Sequence, residues 1–111
     1  MTNRELNFKK GSIDMLVLYM LQDEDMYAFQ LFKLIQERSD NILAVPKGAY
    51  YPTLYRLVNK GLISSEKRKV GKRASRVYYH LEAAGKKYLA ELLEGYYLYN
   101  DAIQRIINKP C

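Results

Sequence analysis

The fold turns on the stretch Val45-Pro46-Lys47-Gly48-Ala49-Tyr50-Tyr51-Pro52-Thr53-Leu54-Tyr55-Arg56-Leu57-Val58-Asn59-Lys60-Gly61-Leu62-Ile63. Apolar side chains recur at Tyr50, Tyr51, Leu54, Leu57 and Val58, which is the face of a short amphipathic helix. The opposite face carries Ala49, Pro52, Thr53, Arg56 and Lys60, small or polar residues without a carboxylate. Gly61 ends the helix, because a residue lacking Cβ enters the left-handed conformation at little cost. One side of this helix suits a core and the other a negatively charged partner, so it reads as a recognition helix. Its start is open by a turn. If it begins at Lys47, Pro52 removes an internal hydrogen bond and kinks it; if it begins at Tyr51, Pro52 is an ordinary first-turn residue.

Two strands follow. Ile63–Arg68 is weakly patterned, whereas Ser75–Leu81 alternates Val77, Tyr79 and Leu81 with Arg76, Tyr78 and His80, as a half-buried antiparallel strand does. Between them Lys69-Val70-Gly71-Lys72-Arg73-Ala74 supplies a basic hairpin tip with one glycine. Six cations and no acid lie between Lys67 and Arg76. Such a block favours a polyanion over a merely solvated face. Two further helices are expected before the stretch. The first runs from about Ile13 to Leu21, with Ser12 as N-cap and Ile13, Leu16, Val17, Met20 and Leu21 on one face. Asp23-Glu24-Asp25 then turns and caps the second, which carries Tyr27, Leu31, Leu34 and Ile35 to about Arg38. Residues 41–45 form a short extended connection, and residues 1–11 an arm or short helix. Three helices followed by a basic hairpin make a winged helix-turn-helix: mainly α, with a small β-hairpin.

The last third is one long helix, about Glu82 to Asn108. Leu89, Leu92, Tyr96, Tyr99, Ile103 and Ile106 are spaced 3, 4, 3, 4, 3, the alternation of a heptad seam. A seam of this length either lies back across its own domain or meets a partner helix, and we expect a dimer interface through these six residues. The chain thus divides into a DNA-binding domain over residues 1–81 and a dimerisation helix over 82–111. Gly85 and Gly95 each cost about 1 kcal/mol within a helix, which suggests close backbone approach or a bend.

Composition narrows the function classes. With 111 residues, 49% of them hydrophobic, the chain is one folded domain and not a disordered tail. Lys and Arg number 18 against 12 Asp and Glu, for a net charge of +6. The single cysteine, Cys111, has no partner for an internal disulfide, which suits a reducing cytoplasm. No apolar run approaches the ~18 residues of a membrane span. The apolar run from Ile13 is broken by Asp14 and followed by acids, unlike a secretory leader. Catalysis has no support: His80 is the only histidine, no metal-ligand cluster or nucleophile motif occurs, and no cofactor is expected.

Gly48-Ala49-Tyr50-Tyr51-Pro52-Thr53-Leu54-Tyr55-Arg56-Leu57, with Gly61-Leu62-Ile63 after it, resembles the core motif of the PadR family of bacterial transcriptional regulators. The likeness extends to Gly11-Ser12-Ile13-Asp14, to Tyr27-Ala28-Phe29 and to Arg76-Val77-Tyr78-Tyr79-His80-Leu81, covering most of residues 11–90. Tyr50 stands where the family usually has Leu, Ala28 where Gly is common, and Glu82 where a Thr caps the last helix. The short C-terminal region looks like the family's small branch, which keeps a single dimerisation helix. The resemblance implies a repressor.

On the recognition helix, Thr53 and Arg56 are expected to face a major groove, with Ala49 small enough for close approach. Arg56 meets either a guanine or a phosphate. Lys47 and the helix N-terminus suit phosphate. Tyr51 is either a core residue or, as the resemblance implies, a phosphate contact. Lys67, Lys69, Lys72, Arg73 and Arg76 would follow the neighbouring backbone or minor groove. Eleven tyrosines crowd the chain, four of them (Tyr88, Tyr96, Tyr97 and Tyr99) on the long helix. Some members of the family bind planar aromatic compounds between their C-terminal helices. By that resemblance, an effector pocket is expected around Leu92, Leu93, Tyr96 and Tyr99, with input from the first helix. The expected partners are therefore duplex DNA, a second copy and a small planar aromatic ligand, with no membrane. The rival of another class is a winged-helix protein–protein adaptor, whose hairpin has no need of cations.

Overall fold

The computed structural model describes residues 11–108. The expected arm at residues 1–11 (save Gly11) and Cys111 lie outside the described residues. In chain order the elements are α1 (Ser12–Met20), β1 (Met26–Tyr27), α2 (Ala28–Arg38), a 3₁₀ turn (Lys47–Ala49), α3 (Tyr50–Asn59), β2 (Ile63–Lys69), β3 (Ser75–Leu81) and α4 (Ala83–Asn108). The hairpin β2–β3 pairs Ile63 with Leu81 through to Lys69 with Ser75, and β1 joins the other edge of β3 to give the order β1-β3-β2. Two residues cannot display a period of two, so the sequence assigns Tyr27 to the second helix and β1 goes unseen.

Val17, Leu18, Leu31, Phe32, Leu54, Leu57, Ile63 and Leu89 are almost wholly buried and form the centre of the core. Phe32 of α2 stacks on Tyr50 of α3, with ring centroids 4.3 Å apart and planes 7° from parallel. Fully burying a side chain such as Phe32 is worth roughly 1.5–3 kcal/mol, and the half-buried Tyr50 covers it at the α2–α3 corner.

Three local expectations are corrected. Ser12 is already helical, and the N-cap is Gly11 at φ 89°. Asp23–Asp25 does not cap α2, because β1 intervenes and Tyr27 takes the cap position, its N–H donating to Gln30 Oε1 at 3.4 Å. The connection over residues 41–45 is not extended throughout: Asp40 and Asn41 are left-handed, and the Asn41 N–H donates back to the Gln36 carbonyl at 2.8 Å. The last helix runs over Ala83–Asn108, as expected to within a residue. Glu82 precedes it, accepting a hydrogen bond from Ser64 Oγ at 2.6 Å and donating its N–H to the Leu62 carbonyl at 3.0 Å.

Candidate nucleic-acid interface

Local chemistry sets where α3 begins and ends. The 3₁₀ turn takes up Lys47–Ala49, leaving Pro52 in the first turn of α3, where its missing N–H costs nothing. At the other end Gly61 has φ 73°, its N–H donating to Val58 O at 2.9 Å while the Leu62 N–H reaches Leu57 O at 3.1 Å. This paired closure satisfies two helix carbonyls and turns the chain directly into β2. α3 and the wing are thus joined through Lys60, Gly61 and Leu62, with Gly61 left-handed.

Helical phase decides what α3 presents. Leu54 and Leu57 are fully buried, and Thr53 follows them at 9% exposure. Thr53 is therefore not on the outward face, contrary to the sequence expectation; a threonine at the margin of the apolar arc is counted polar by type but packs as a small side chain. Tyr55, at 69%, and Tyr51, at 63%, are instead the most open large side chains of the helix. With Pro52, Asn59 and Lys60 they form an outward stripe free of carboxylates. Tyr55 went unremarked in the sequence because an aromatic residue in an amphipathic pattern is ordinarily assigned to the core. Ala49 is partly buried, and Arg56 lies at one edge of the stripe in an ion pair with Asp14 of α1.

Tyr51 lies at the other edge, toward the sheet. Burial pushes the Tyr79 phenol above the ordinary tyrosine value, and the Tyr51 phenol nearby adds to the rise. Lys47 is exposed at the entry to α3, its Nζ 5.8 Å from the centre of the Phe29 ring, with Lys33 Nζ 5.7 Å from the same ring. The exposed Phe29 is a second residue missed by sequence reasoning.

The wing sorts its cations by strand alternation. Residues directly opposed in an antiparallel pair share a face. Lys67 opposite Val77 and Lys69 opposite Ser75 therefore continue the side of the sheet that Tyr79 and Leu81 bury. Arg68 and Arg76 oppose each other on the outer side. There Arg68 is held by Asp25 Oδ2 at 2.6 Å and Glu66 Oε2 at 3.2 Å, its guanidinium 4.8 Å from the Tyr78 ring centre. Arg76 lies 4.2 Å over Tyr27, whose ring meets Tyr78 edge-on. Arg76, grouped with the lysines by the sequence, thus occupies the opposite face of the wing from Lys67 and Lys69. Lys72 and Arg73 are exposed at the tip, around Gly71 at φ 105°.

Asp25 fastens this outer layer. Its Oδ1 lies 2.7 Å from His80 Nδ1. The His80 hydrogen bond, and after it the contact with Arg68, hold the Asp25 carboxyl below its ordinary value against the opposing effect of burial.

α4 packs its first half on the body and runs free thereafter. Leu89 is only 1% exposed within its own subunit, so it is unavailable to a partner, contrary to its place in the expected seam. Leu92 and Leu93 are partly buried against the core, whereas Tyr96, Tyr99, Ile103 and Ile106 are exposed, as are Leu98 and Ile107. A groove of about 320 Å³ lies between α1 and α4, lined by Ser12, Met15, Leu16, Tyr19, Leu43, Leu93, Tyr96 and Tyr97. Leu93 and Tyr96 of the expected pocket line it; Leu92 and Tyr99 do not. Among the described residues no group of three metal-ligating side chains occurs, and no helix is long and apolar enough to cross a membrane.

The profile of the transcriptional regulator PadR-like family matches residues 17–91. A transcriptional regulator of Mycobacterium tuberculosis is 36% identical over 84 residues, which cover 76% of this chain and 75% of that protein. The structure of a transcriptional regulator from Clostridium thermocellum superposes with a TM-score of 0.79 at 25% identity, covering 93% of this chain and 96% of the other. Bacillus subtilis PadR, solved in complex with operator DNA, shares the fold at a TM-score of 0.68 and 20% identity over 74% of this chain. That match spans about half, 47%, of the longer protein. The wing, the helix it follows and the sequence around them lead to one assignment: this chain belongs to the PadR-like family of transcriptional regulators, and is not an enzyme.

Proposed function

We propose that the protein is a dimeric, cytoplasmic repressor that binds operator DNA through α3 and the wing and is released by a small aromatic or hydrophobic effector. The observation that carries DNA binding is the acid-free stripe of Tyr51, Pro52, Tyr55, Asn59 and Lys60 set beside a wing bearing Lys67, Lys69, Lys72 and Arg73. A major groove about 12 Å wide admits such a helix, and lysines on both flanks suit the phosphates that border it. Bacillus subtilis PadR, which shares the fold, has been solved with operator DNA, and that supports the same use of the surface here.

In this reading residues 1–81 bind DNA and residues 82–111 hold two subunits together. The exposed Tyr96, Tyr99, Ile103 and Ile106 support it, because a free apolar seam on a helix is stabilised by a partner helix. The groove between α1 and α4 supports an effector site: its volume is at the low end of small-ligand pockets, roughly 300–1,000 Å³, and its lining is mostly apolar with three tyrosines, Tyr19, Tyr96 and Tyr97. A ligand there would shift α4 against α1 and so alter the spacing of the two recognition helices.

Footprinting the purified protein on the DNA upstream of its own gene tests the proposal. Two protected half-sites about 34 Å apart are expected. Uniform cleavage across the region, with neighbouring intergenic segments included, would refute it.

A further inference from the structure

On the outward side of α3, Arg56 is a guanidinium already engaged by a carboxylate of the same chain. Its Nη2 donates to Asp14 Oδ1, joining the recognition helix to α1 across 42 residues of sequence. The two partners differ in accessibility: the Asp14 side chain keeps 18% of its surface, the Arg56 side chain 47%. The acid is the fixed half of the pair, and the arginine remains open to a ligand.

We propose that Asp14 is a positioning residue for sequence reading: it holds the Arg56 guanidinium at the α1 edge of the recognition stripe, aimed at a guanine edge. The inference rests on the DNA-binding reading above.

Three physical points carry it. A guanidinium has five N–H donors in a rigid fork, and the contact through Nη2 leaves others for a bidentate approach to guanine O6 and N7. A long side chain fixed before binding loses less rotamer freedom when it docks. A carboxylate beside the arginine also cancels its charge, which weakens it as a general phosphate ligand while preserving its donors. Phosphate attraction then falls to Lys47, Lys60 and the wing lysines. An arginine meant only for the backbone would gain the same fixing but lose the net charge that phosphate attraction uses.

Selection of duplexes from a random library, with the wild-type chain and with Asp14→Asn, Asp14→Ala and Arg56→Ala, tests this. Affinities are then measured for the selected duplex and for a scrambled one, with thermal melting to establish folding. Asp14→Ala should lose a guanine preference at one position per half-site and lower the selected-to-scrambled ratio about tenfold, the discrimination expected of one bidentate pair. Binding to the scrambled duplex should hold or tighten, since a negative charge has been removed. Asp14→Asn, which keeps an acceptor oxygen, should fall between wild type and Asp14→Ala, and it carries the test if Asp14→Ala fails to fold. In an Arg56→Ala background, removing Asp14 should change the ratio no further. Equal loss on both duplexes, or an unchanged ratio, overturns the proposal and makes the pair a fold contact or a phosphate clamp. A wild-type chain that selects no sequence from the library overturns the DNA-binding reading as well, so the two failures are told apart.

Discussion

A Cβ built on Gly85 would lie 2.1 Å from the Leu62 carbonyl oxygen and 2.6 Å from Leu81 Cδ1, so the first turn of α4 rests against the backbone that leads from α3 into the wing. The Leu62 carbonyl cannot yield easily, because it is backbone and also accepts the Glu82 N–H at 3.0 Å. Gly85→Ala should therefore destabilise the fold by roughly 1–3 kcal/mol, outweighing the ~1 kcal/mol that alanine gains over glycine in a helix. A lowered urea midpoint at unchanged slope is the measurement. Gly95, the other helical glycine, has nothing within 4 Å. The sequence could say that both glycines were costly, but which of them meets a carbonyl depends on a strand that the helix itself does not encode. Thr53 and Tyr55 make the same point. Residue type assigned Thr53 to the groove and left Tyr55 unassigned, whereas helical phase buries the first and exposes the second.

At the scale of elements, the wing is two surfaces back to back. The inner one continues the core side and carries Lys67 and Lys69; the outer one is a layer of Tyr27, Tyr78, Arg68 and Arg76 closed by Asp25 and His80. Asp25 has its folded pKa depressed, so the stability it contributes is present above the unfolded value of about 4 and is lost as pH falls through the lower folded value. Asp25→Ala should accordingly melt below wild type at pH 7, by the equivalent of about 1 kcal/mol or less for a partly exposed network, and the two curves should converge below pH 4. A gap that persists in acid would mean that packing, and not charge, fastens the layer. The elements themselves were readable from periodicity: three helices, a hairpin with the alternating faces of its second strand, and a long terminal helix. β1 and the tie through Asp25 were not, since a two-residue strand has no pattern and an acid beside a turn reads as a cap until its distant partner is known.

For the whole molecule, α4 is the element that outruns the body it packs on. Its 26 residues run about 39 Å, and only the first half, to about Leu93, is packed on the body, leaving Tyr96, Tyr99, Ile103 and Ile106 without a cover in a single subunit. A chain built in this way should bind DNA as a pair, with two wings and two recognition helices adding their phosphate contacts. The sequence made the apolar spacing of α4 visible, but the burial of Leu89 against the body depends on how closely Gly85 lets α4 approach. The most direct measurement of the account is the affinity of the purified protein for a labelled duplex as salt is raised from 50 to 200 mM, run beside Ile103→Asp. Six to ten neutralised phosphates predict a fall in affinity of about 10³–10⁵ for the wild-type chain. Ile103→Asp, sedimenting as one subunit, should bind weakly with roughly half the logarithmic slope. Affinity that does not change with salt, or no binding even at 50 mM, would contradict the account.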